Sequence, residues 1–382
     1  MKNELTLPGG MTVNEFLAEY WQKKPLLIRQ AIPRFKGLLD PQQLKALSCL
    51  PDAQARLVRQ KRGQWQLEQG PFEPSDFSSL GKTKWTLLLQ GINHILPEAA
   101  ALLQQFSFIP YARLDDLMVS FAPAGGGVGP HFDSYDVFLL QGMGHRRWQI
   151  SKQDDRTMVE GAPLRILKNF SAEEEWILAP GDMLYLPPQW AHDGIAVDDC
   201  MTYSVGFRAP SYQELGEQFL VHLQDHLCLD GMYADPELKT QTHPSEISKE
   251  MLIQVENAIS QIKWSKTDIS NFLGCYLSDP KPHIYFDPPE PQLTRKQFKK
   301  TLASAGVIPD LKSQILCYTG SVFVNGISFE VNQECYNVLR VLADNRKFSG
   351  ENLPDEAFEL LYQWYVDGYL IPVAGAKGNG KQ

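Results

Sequence analysis

Gly125-Gly126-Gly127-Val128-Gly129-Pro130-His131-Phe132-Asp133 begins the stretch on which the reading of this chain turns, and Pro187-Pro188-Gln189-Trp190-Ala191-His192 ends it. His131 and Asp133 stand two apart, so on a β-strand their side chains leave the same face. His192 follows 59 residues after Asp133, where only the fold brings it back. Two imidazoles and one carboxylate in that order suit a non-haem Fe(II) centre with open coordination positions. Each residue alone has an ordinary alternative: a loop histidine, a turn aspartate, a capped histidine. A bare His-x-Asp carries little weight, and the case rests on the surroundings.

Those surroundings are short strands separated by Gly, Pro and Asp. Residues 117–122, 131–141, 146–151, 164–167, 175–178, 183–186 and 201–208 are the expected strands, which suggests a sandwich or jelly roll. The alternation Arg146, Trp148, Ile150 puts an arginine on the face it shares with two large apolar residues, with Arg147 and Gln149 on the other. A buried guanidinium needs an anion, because an unpaired buried charge costs several kcal/mol. An internal carboxylate and a bound dicarboxylate cosubstrate both satisfy that need. Thr202 and Ser204 share one face of the last strand and Ser120 takes a similar place on the first. Their hydroxyls suit either a ligand carboxylate or a backbone carbonyl. The glycines at 125–129 allow close backbone approach before Pro130 fixes the entry to His131, and no Lys-Ser or Lys-Thr helix start follows to make a phosphate loop.

Outward from this centre the chain reads as scaffold. Thr12 and Glu15 form a capping box ahead of an apolar face of Phe16, Leu17, Tyr20 and Trp21. Residues 25–29 end that helix and start a strand, and Asp40-Pro41 opens a second helix. Residues 56–60 and 64–68 read as a hairpin, while 85–95 and 98–103 are expected to be helical. After Pro210 the pattern turns helical. Ser211 and Glu214 read as another capping box before Leu215, Phe219, Leu223 and Leu227, and a second amphipathic stretch covers 245–262. Two such helices make a dimerisation hairpin, or pack on their own barrel. Residues 280–291 hold five prolines and read as a linker. Beyond it, a hairpin over 321–329 with Asn325-Gly326 at its turn precedes helices around Val338–Leu342 and over 355–367, which fits a winged-helix-like fold. Asp355, Glu356, Glu359 and Asp367 on the last helix argue against DNA contact.

At 382 residues the chain should hold two or three domains, and an apolar fraction of 43% with 21% charged residues is that of a globular protein. The net charge of −9 disfavours wrapping nucleic acid and favours a basic partner. Six scattered cysteines without Cys-x-x-Cys suggest free thiols in a reducing cytoplasm. Met1–Leu5 carries no signal-peptide core and no apolar run is long enough to span a bilayer, so the expectation is a soluble cytoplasmic protein.

The motifs Gly-Gly-Gly-Val-Gly-Pro-His131-Phe-Asp133, Asp136-Val-Phe-Leu-Leu-Gln141, Arg146-Arg-Trp148, Gly181-Asp-Met-Leu-Tyr-Leu-Pro-Pro188 and Tyr203-Ser-Val-Gly-Phe-Arg-Ala-Pro210 resemble those of JmjC-type ribosomal oxygenases, in particular the bacterial arginine hydroxylases of large-subunit ribosomal protein sixteen. The resemblance extends over the whole chain. It implies an α+β multidomain architecture: a double-stranded β-helix (jelly roll, cupin/JmjC) with an N-terminal helical elaboration at 1–208, a helical dimerisation domain at 209–280 and a winged-helix-like domain at 281–382. By the same resemblance His131, Asp133 and His192 bind Fe(II). Arg146 holds the distal carboxylate of 2-oxoglutarate, helped by Ser120 and Thr202; Ser204 is a pocket candidate from its place on the strand rather than from the resemblance. O2 is the second cosubstrate, and the products are succinate, CO2 and a hydroxyl at Cβ of an arginine in the ribosomal protein. Related eukaryotic enzymes carry lysine at the arginine position and hydroxylate histidine, so Arg146 favours the bacterial branch. A cationic target suits an acidic entrance, for which Asp115, Asp116, Tyr135, Asp136 and Asp193 are candidates. The competing functions are a histidine hydroxylase, an N-methyl demethylase, and a non-catalytic metal-binding module for ribosome assembly. His222 and His226 have the spacing of a helical zinc site but Leu223 stands where a zinc protease needs glutamate, and His145 reads as a surface turn residue.

Overall fold

The computed structural model describes residues 11–373, which divide between Ala209 and Pro210 into two compact units. Met1–Leu5 and the tail at 375–382 lie outside the described residues.

In the first unit α1 (Val13–Glu19) starts at the capping box: Glu15 N–H donates to Thr12 Oγ1 at 3.2 Å and Thr12 N–H donates to Glu15 Oε2 at 2.8 Å. Then come β1 (Leu26–Ile28), α2 (Pro41–Leu47) capped by Asp40, the hairpin β2 (Ala55–Lys61) and β3 (Gln64–Gln69), and the short α3 (Pro74–Ser78). Next are β4 (Trp85–Leu89), α4 (Pro97–Gln104), β5 (Leu114–Ala122), β6 (His131–Phe132), β7 (Val137–Met143), β8 (Arg146–Ser151), β9 (Glu174–Leu178), β10 (Met183–Leu186), β11 (Ala191–Ala196) and β12 (Cys200–Phe207). They form an eight-stranded sheet, β1-β10-β7-β12-β5-β4-β2-β3, and a four-stranded sheet, β6-β11-β8-β9.

Alternation along each strand sorts the two faces of the large sheet. Phe138, Leu140, Met183, Tyr185, Met201, Tyr203 and Val205 join Phe16, Leu44 and Leu102 in the main core, under the N-terminal helices. Val137, Leu139, Leu184 and Leu186 face the other way and meet Trp148, Ile150 and Leu178 of the small sheet. This is the double-stranded β-helix, with the space between the sheets as its interior.

Four expectations for this unit change. Residues 85–95 are not helical but β4 and a single 3-10 turn, Ile92–His94. All five β4 residues are buried because the strand lies between β2 and β5, and an apolar run this short has no period to separate strand from helix. The expected strand at 131–141 splits, since β6 pairs with β11 in the small sheet and β7 with β10 and β12 in the large one. Residues 164–167 contribute an isolated Met158–Leu167 bridge rather than a strand. Finally, β11 itself has no alternating pattern in Ala-His-Asp-Gly-Ile-Ala and was not anticipated.

The second unit contains α5 (Tyr212–His226), α6 (Lys249–Ile259), α7 (Lys266–Ser278), α8 (Arg295–Ser304), β13 (Val307–Pro309), β14 (Ile315–Tyr318), β15 (Ser321–Val324), β16 (Ile327–Glu330), α9 (Gln333–Asn345), α10 (Asp355–Val366) and β17 (Leu370–Pro372). Phe298 of α8, Leu339 of α9 and Trp364 of α10 pack with Val322 and Val324 into a core. Asn325 and Gly326, both at positive φ, turn β15 into β16 as the Asn-Gly pair requires. Ser211 accepts Glu214 N–H as a cap, but the Glu214 carboxylate takes the Tyr276 hydroxyl instead of closing the box. α7 and α8 were not foreseen. The sequence boundary at 281 follows α7, yet α7 lies on β14–β16, close enough that a Cβ on Gly274 would meet the Phe323 ring at 2.5 Å. α5 and α6 bury no residue.

Candidate active site

The fold brings His131, Asp133 and His192 together. β6 and β11 pair so that His131 and His192 are direct partners, and their rings lie 4.3 Å apart between centroids. Asp133 follows in the turn where the chain leaves the small sheet. Its Oδ1 is 3.8 Å from His131 Nε2 and its Oδ2 3.5 Å from His192 Nε2, and one ligand atom from each residue lies within 4.8 Å of the other two. Among the described residues no other group of three or more His, Cys, Asp or Glu is arranged in this way.

The histidines are held in one tautomer. His131 Nδ1 donates to Gly129 O at 2.8 Å and His192 Nδ1 donates to Trp190 O at 3.0 Å, which leaves both Nε2 atoms, each within 3.8 Å of an Asp133 oxygen, available to a metal. Burial first, and then the His131 ring, lower the His192 pKa to about 4, so the imidazole is neutral as a ligand must be. The Asp133 backbone is fixed in turn, because Gln189 N–H donates to its carbonyl at 2.9 Å from a left-handed position with φ 68°. Arg156 donates to Gln189 Oε1 and lies 5.0 Å over the Phe132 ring, which ties the loop between β8 and β9 to the ligand-bearing turn.

Arg146 is the second element. It is 5% exposed, and its Nη1 donates to Ser120 Oγ at 3.4 Å across the space between the sheets, while Nε and Nη2 meet no acceptor. Two buried donors of a permanent cation without a partner are costly, and a carboxylate is the fork-shaped acceptor that fits them. Trp148 lies between this cation and the histidines. Its ring is 5.7 Å from the Arg146 guanidinium carbon and 6.0 Å from the His192 ring, and its buried Nε1 also lacks a partner. Gly194, its register partner on β11, makes room, since a Cβ there would sit 2.5 Å from the indole. The donor set therefore suits a divalent metal at one end and a dicarboxylate reaching Arg146 at the other.

The remaining candidates separate. Thr202 sits opposite Ser120, but its hydroxyl proton goes to Gln141 Oε1 at 2.9 Å, so it orders the wall instead of donating to a ligand carboxylate. Gln141 is anchored by donating to Met143 O at 2.7 Å. Ser204 is buried on the same face of β12. Asp136 does not line an entrance: it is fully buried and accepts from Tyr185 Oη at 2.6 Å, Gln22 Nε2 at 2.9 Å and Arg113. Asp116 is buried and accepts Gly91 N–H at 3.2 Å, and Asp115 pairs with Arg208 at 3.5 Å. Asp193 projects from the face of β11 opposite His192. Tyr135 is 39% exposed, while desolvation of its hydroxyl, followed by Asp133, Asp116 and Asp115, raises its pKa. His145 pairs with Asp198 at 2.8 Å at the surface. His226 Nδ1 donates to His222 O at 2.7 Å, and the pair has no third ligand among the described residues. Gln141 and the Trp148 N–H were missed as site groups. The polar Gln141 inside an apolar strand was a visible signal, whereas the orphaned indole N–H had none.

A model of the JmjC domain matches residues 101–215 and one of the ROXA-like winged helix matches residues 260–371. The ribosomal protein uL16 3-hydroxylase of Escherichia coli (strain K12) is 33% identical over 351 residues, which cover 90% of this chain and 92% of that one. The chain belongs to the JmjC ribosomal oxygenases. A probable ribosomal oxygenase of Haemophilus influenzae is 42% identical over 217 residues, covering 56% of this chain and 53% of that one. Among solved ribosomal oxygenases, the X-ray structure of E. coli YcfD has a TM-score of 0.83 at 30% identity and covers 94% of this chain and 98% of its own. YcfD in complex with cobalt and 2-oxoglutarate has a TM-score of 0.79 at 31% identity, with 94% and 97% covered. In this member of the ribosomal oxygenases, the triad and Arg146 thus stand in the architecture of a relative whose structure contains cobalt and 2-oxoglutarate.

Proposed function

We propose that this chain is an Fe(II)- and 2-oxoglutarate-dependent oxygenase that hydroxylates Cβ of an arginine in large-subunit ribosomal protein sixteen, uL16. The observation that carries the reading is the pairing of a two-histidine, one-carboxylate triad with a buried guanidinium that has two unpartnered donors. A binding module for ribosome assembly needs neither. The family relative named as a uL16 3-hydroxylase supports the substrate.

When bound, Fe(II) with 2-oxoglutarate and O2 supplies the oxidant: decarboxylation to succinate and CO2 leaves one oxygen atom for insertion into a C–H bond. The chain supplies positions. His131, Asp133 and His192 would hold the metal through three protein ligands, a number that allows it to take cosubstrates as well. Arg146, with Ser120 beside it, would hold the distal carboxylate through its unpartnered Nε and Nη2, and Trp148 with Thr202 and Gln141 would form the wall. The apolar residues between the two sheets keep bulk water from the reacting end.

The exposed side chains of Leu252, Val255 and Ile259 share one face of α6 at i, i+3 and i+7. Together with α5 they support a homodimer built on the helices that follow the catalytic unit, while α7, inside the expected 209–280 bounds, belongs with the winged-helix-like part on whose strands it packs. The six cysteines are free, in keeping with a reducing cytoplasm, and among the described residues no helix is long and apolar enough to cross a membrane.

The test is succinate release under Fe(II) and O2 with large-subunit ribosomal proteins, read alongside their intact masses. A gain of one oxygen on one arginine, lost in Asp133→Ala, is the expected result. Hydroxylation of a histidine, or loss of a methyl group, would move the substrate within the class, and no turnover by an iron-loaded protein would favour the binding module. For the dimer, light scattering should give twice the chain mass, reduced to one in Leu252→Asp/Val255→Asp.

A further inference from the structure

A cleft of about 490 Å³ opens in the second unit, between the proline-rich segment before α8 and the turn that ends α10. Tyr285, Phe286 and Pro288 line one side, and Val366, Asp367 and Tyr369 the other. Phe286 and Tyr369 meet edge to face at 4.8 Å, and Tyr285 is 69% exposed. Lys312 already uses this aromatic wall: its Nζ lies 5.5 Å over the Phe286 ring and donates to Tyr285 O.

Asp367 is the anomaly in the cleft. It occupies the C-cap of α10, where the helix dipole is negative, and no basic residue stands in the last turn. Cations, not carboxylates, are stabilising at that end of a helix. Among the described residues its carboxylate pairs with no cation, and its side-chain partner is Gln363 Nε2 at 2.9 Å. The Tyr369 hydroxyl beside it is raised above its ordinary pKa by burial and by Asp367. A carboxylate, a negative helix end and three aromatic side chains therefore converge on open space.

Lys312 aside, the net charge of the unit has the same sign as Asp367. Residues 210–373 hold 13 Lys and Arg against 22 Asp and Glu, a net −9, whereas residues 11–209 hold 20 against 22, a net −2. Almost all of the molecule's acidic excess belongs to the second unit. That field repels nucleic acid and draws in a basic protein.

We propose that this cleft binds an arginine or lysine side chain from a basic segment of the ribosomal-protein substrate, distinct from the segment that enters the metal site. The side chain stacks on the exposed ring of Tyr285, since Lys312 already covers Phe286, and pairs with Asp367. The substrate's identity rests on the function proposed above, while the cleft's chemistry does not. A second anchor raises the local concentration of the target arginine at the metal site and gives the winged-helix-like unit a role other than DNA contact.

The full chain would be titrated with Nα-acetylarginine amide while the ring protons of Tyr285 and Tyr369 are followed by NMR. Affinity for intact uL16, and kcat/KM on a short peptide spanning the target arginine, would then be measured for the wild type, Asp367→Asn and Tyr285→Ala. Saturable shifts should vanish in Asp367→Asn. Each variant should bind intact uL16 about five-fold or more weakly, with kcat/KM on the peptide unchanged. Asp367→Asn removes an unfavourable charge, so its thermal midpoint should not fall, which separates lost docking from lost folding. Unchanged affinity for intact uL16 in both variants, or shifts that persist in Asp367→Asn, would overturn the proposal. If uL16 is neither bound nor hydroxylated but arginine amide still binds through Asp367, the substrate assignment fails and the cationic cleft stands.

Discussion

Arg146 carries the sharpest consequence for the cosubstrate. Its guanidinium is buried with two N–H groups unsatisfied, so the protein without ligand bears a cost that a bound carboxylate relieves. Arg146→Met should leave the thermal midpoint of the ligand-free protein unchanged or higher. Anaerobic calorimetry should show 2-oxoglutarate affinity lower by about 3–5 kcal/mol, the usual effect of removing one partner of a buried pair. A ligand-free protein destabilised by that amount would mean instead that Arg146 serves an internal anion. Gly194 is as sensitive for a steric reason. A methyl group would sit 2.5 Å from the Trp148 indole, and Gly194→Ala should cost about 1–3 kcal/mol in urea unfolding while weakening 2-oxoglutarate, because Trp148 separates Arg146 from His192. The sequence revealed the ligands and the inward arginine because period-two alternation survives in Arg146, Trp148 and Ile150. It could not reveal Asp136 as structural. An aspartate in a turn looks the same whether it meets water or, as here, the hydroxyl of Tyr185 49 residues away.

At the scale of elements, Asp182 links the β9–β10 turn to the chain just after β1. It is buried and accepts from Gln30 N at 2.9 Å, Ala179 N at 3.1 Å and Arg29 Nη1 at 2.6 Å. Burial alone would raise its pKa, but these donors outweigh burial and hold it below the usual value. A folded pKa below the unfolded value of about 3.9 means that the stabilisation is full above that pH and is lost as pH falls through the folded value. Asp182→Asn should therefore cost about 1–3 kcal/mol in urea unfolding at pH 7, and the difference should shrink toward pH ~2. An equal loss at both pH values would assign the effect to shape alone. Elements were legible in the sequence where local chemistry decides them: the Thr12 and Asp40 caps and the Asn325-Gly326 turn all form as read. They were illegible where tertiary partners decide. β4 is a strand because it lies between β2 and β5, and β11 because it is flanked by β6 and β8.

For the whole molecule, the division of charge makes a kinetic prediction. With a net −9 on residues 210–373, association with a basic protein should be steered and sensitive to ionic strength. Raising salt from about 0.05 to 0.5 M should lower kcat/KM on intact uL16 by about ten-fold or more, and much less on a short peptide. Equal salt effects on both would show that the second unit takes no part in encounter. One feature of the site also sets a timetable. The last ligand in chain order, His192, lies on the strand that completes the small sheet, and the first unit ends at Ala209, soon after it. During synthesis a nascent chain that has released only His131 and Asp133 offers a metal two of its three donors. Capture of iron is thereby deferred until the catalytic unit is nearly complete, and it need not wait for the 173 residues of the second unit, from 210 to 382, to be made.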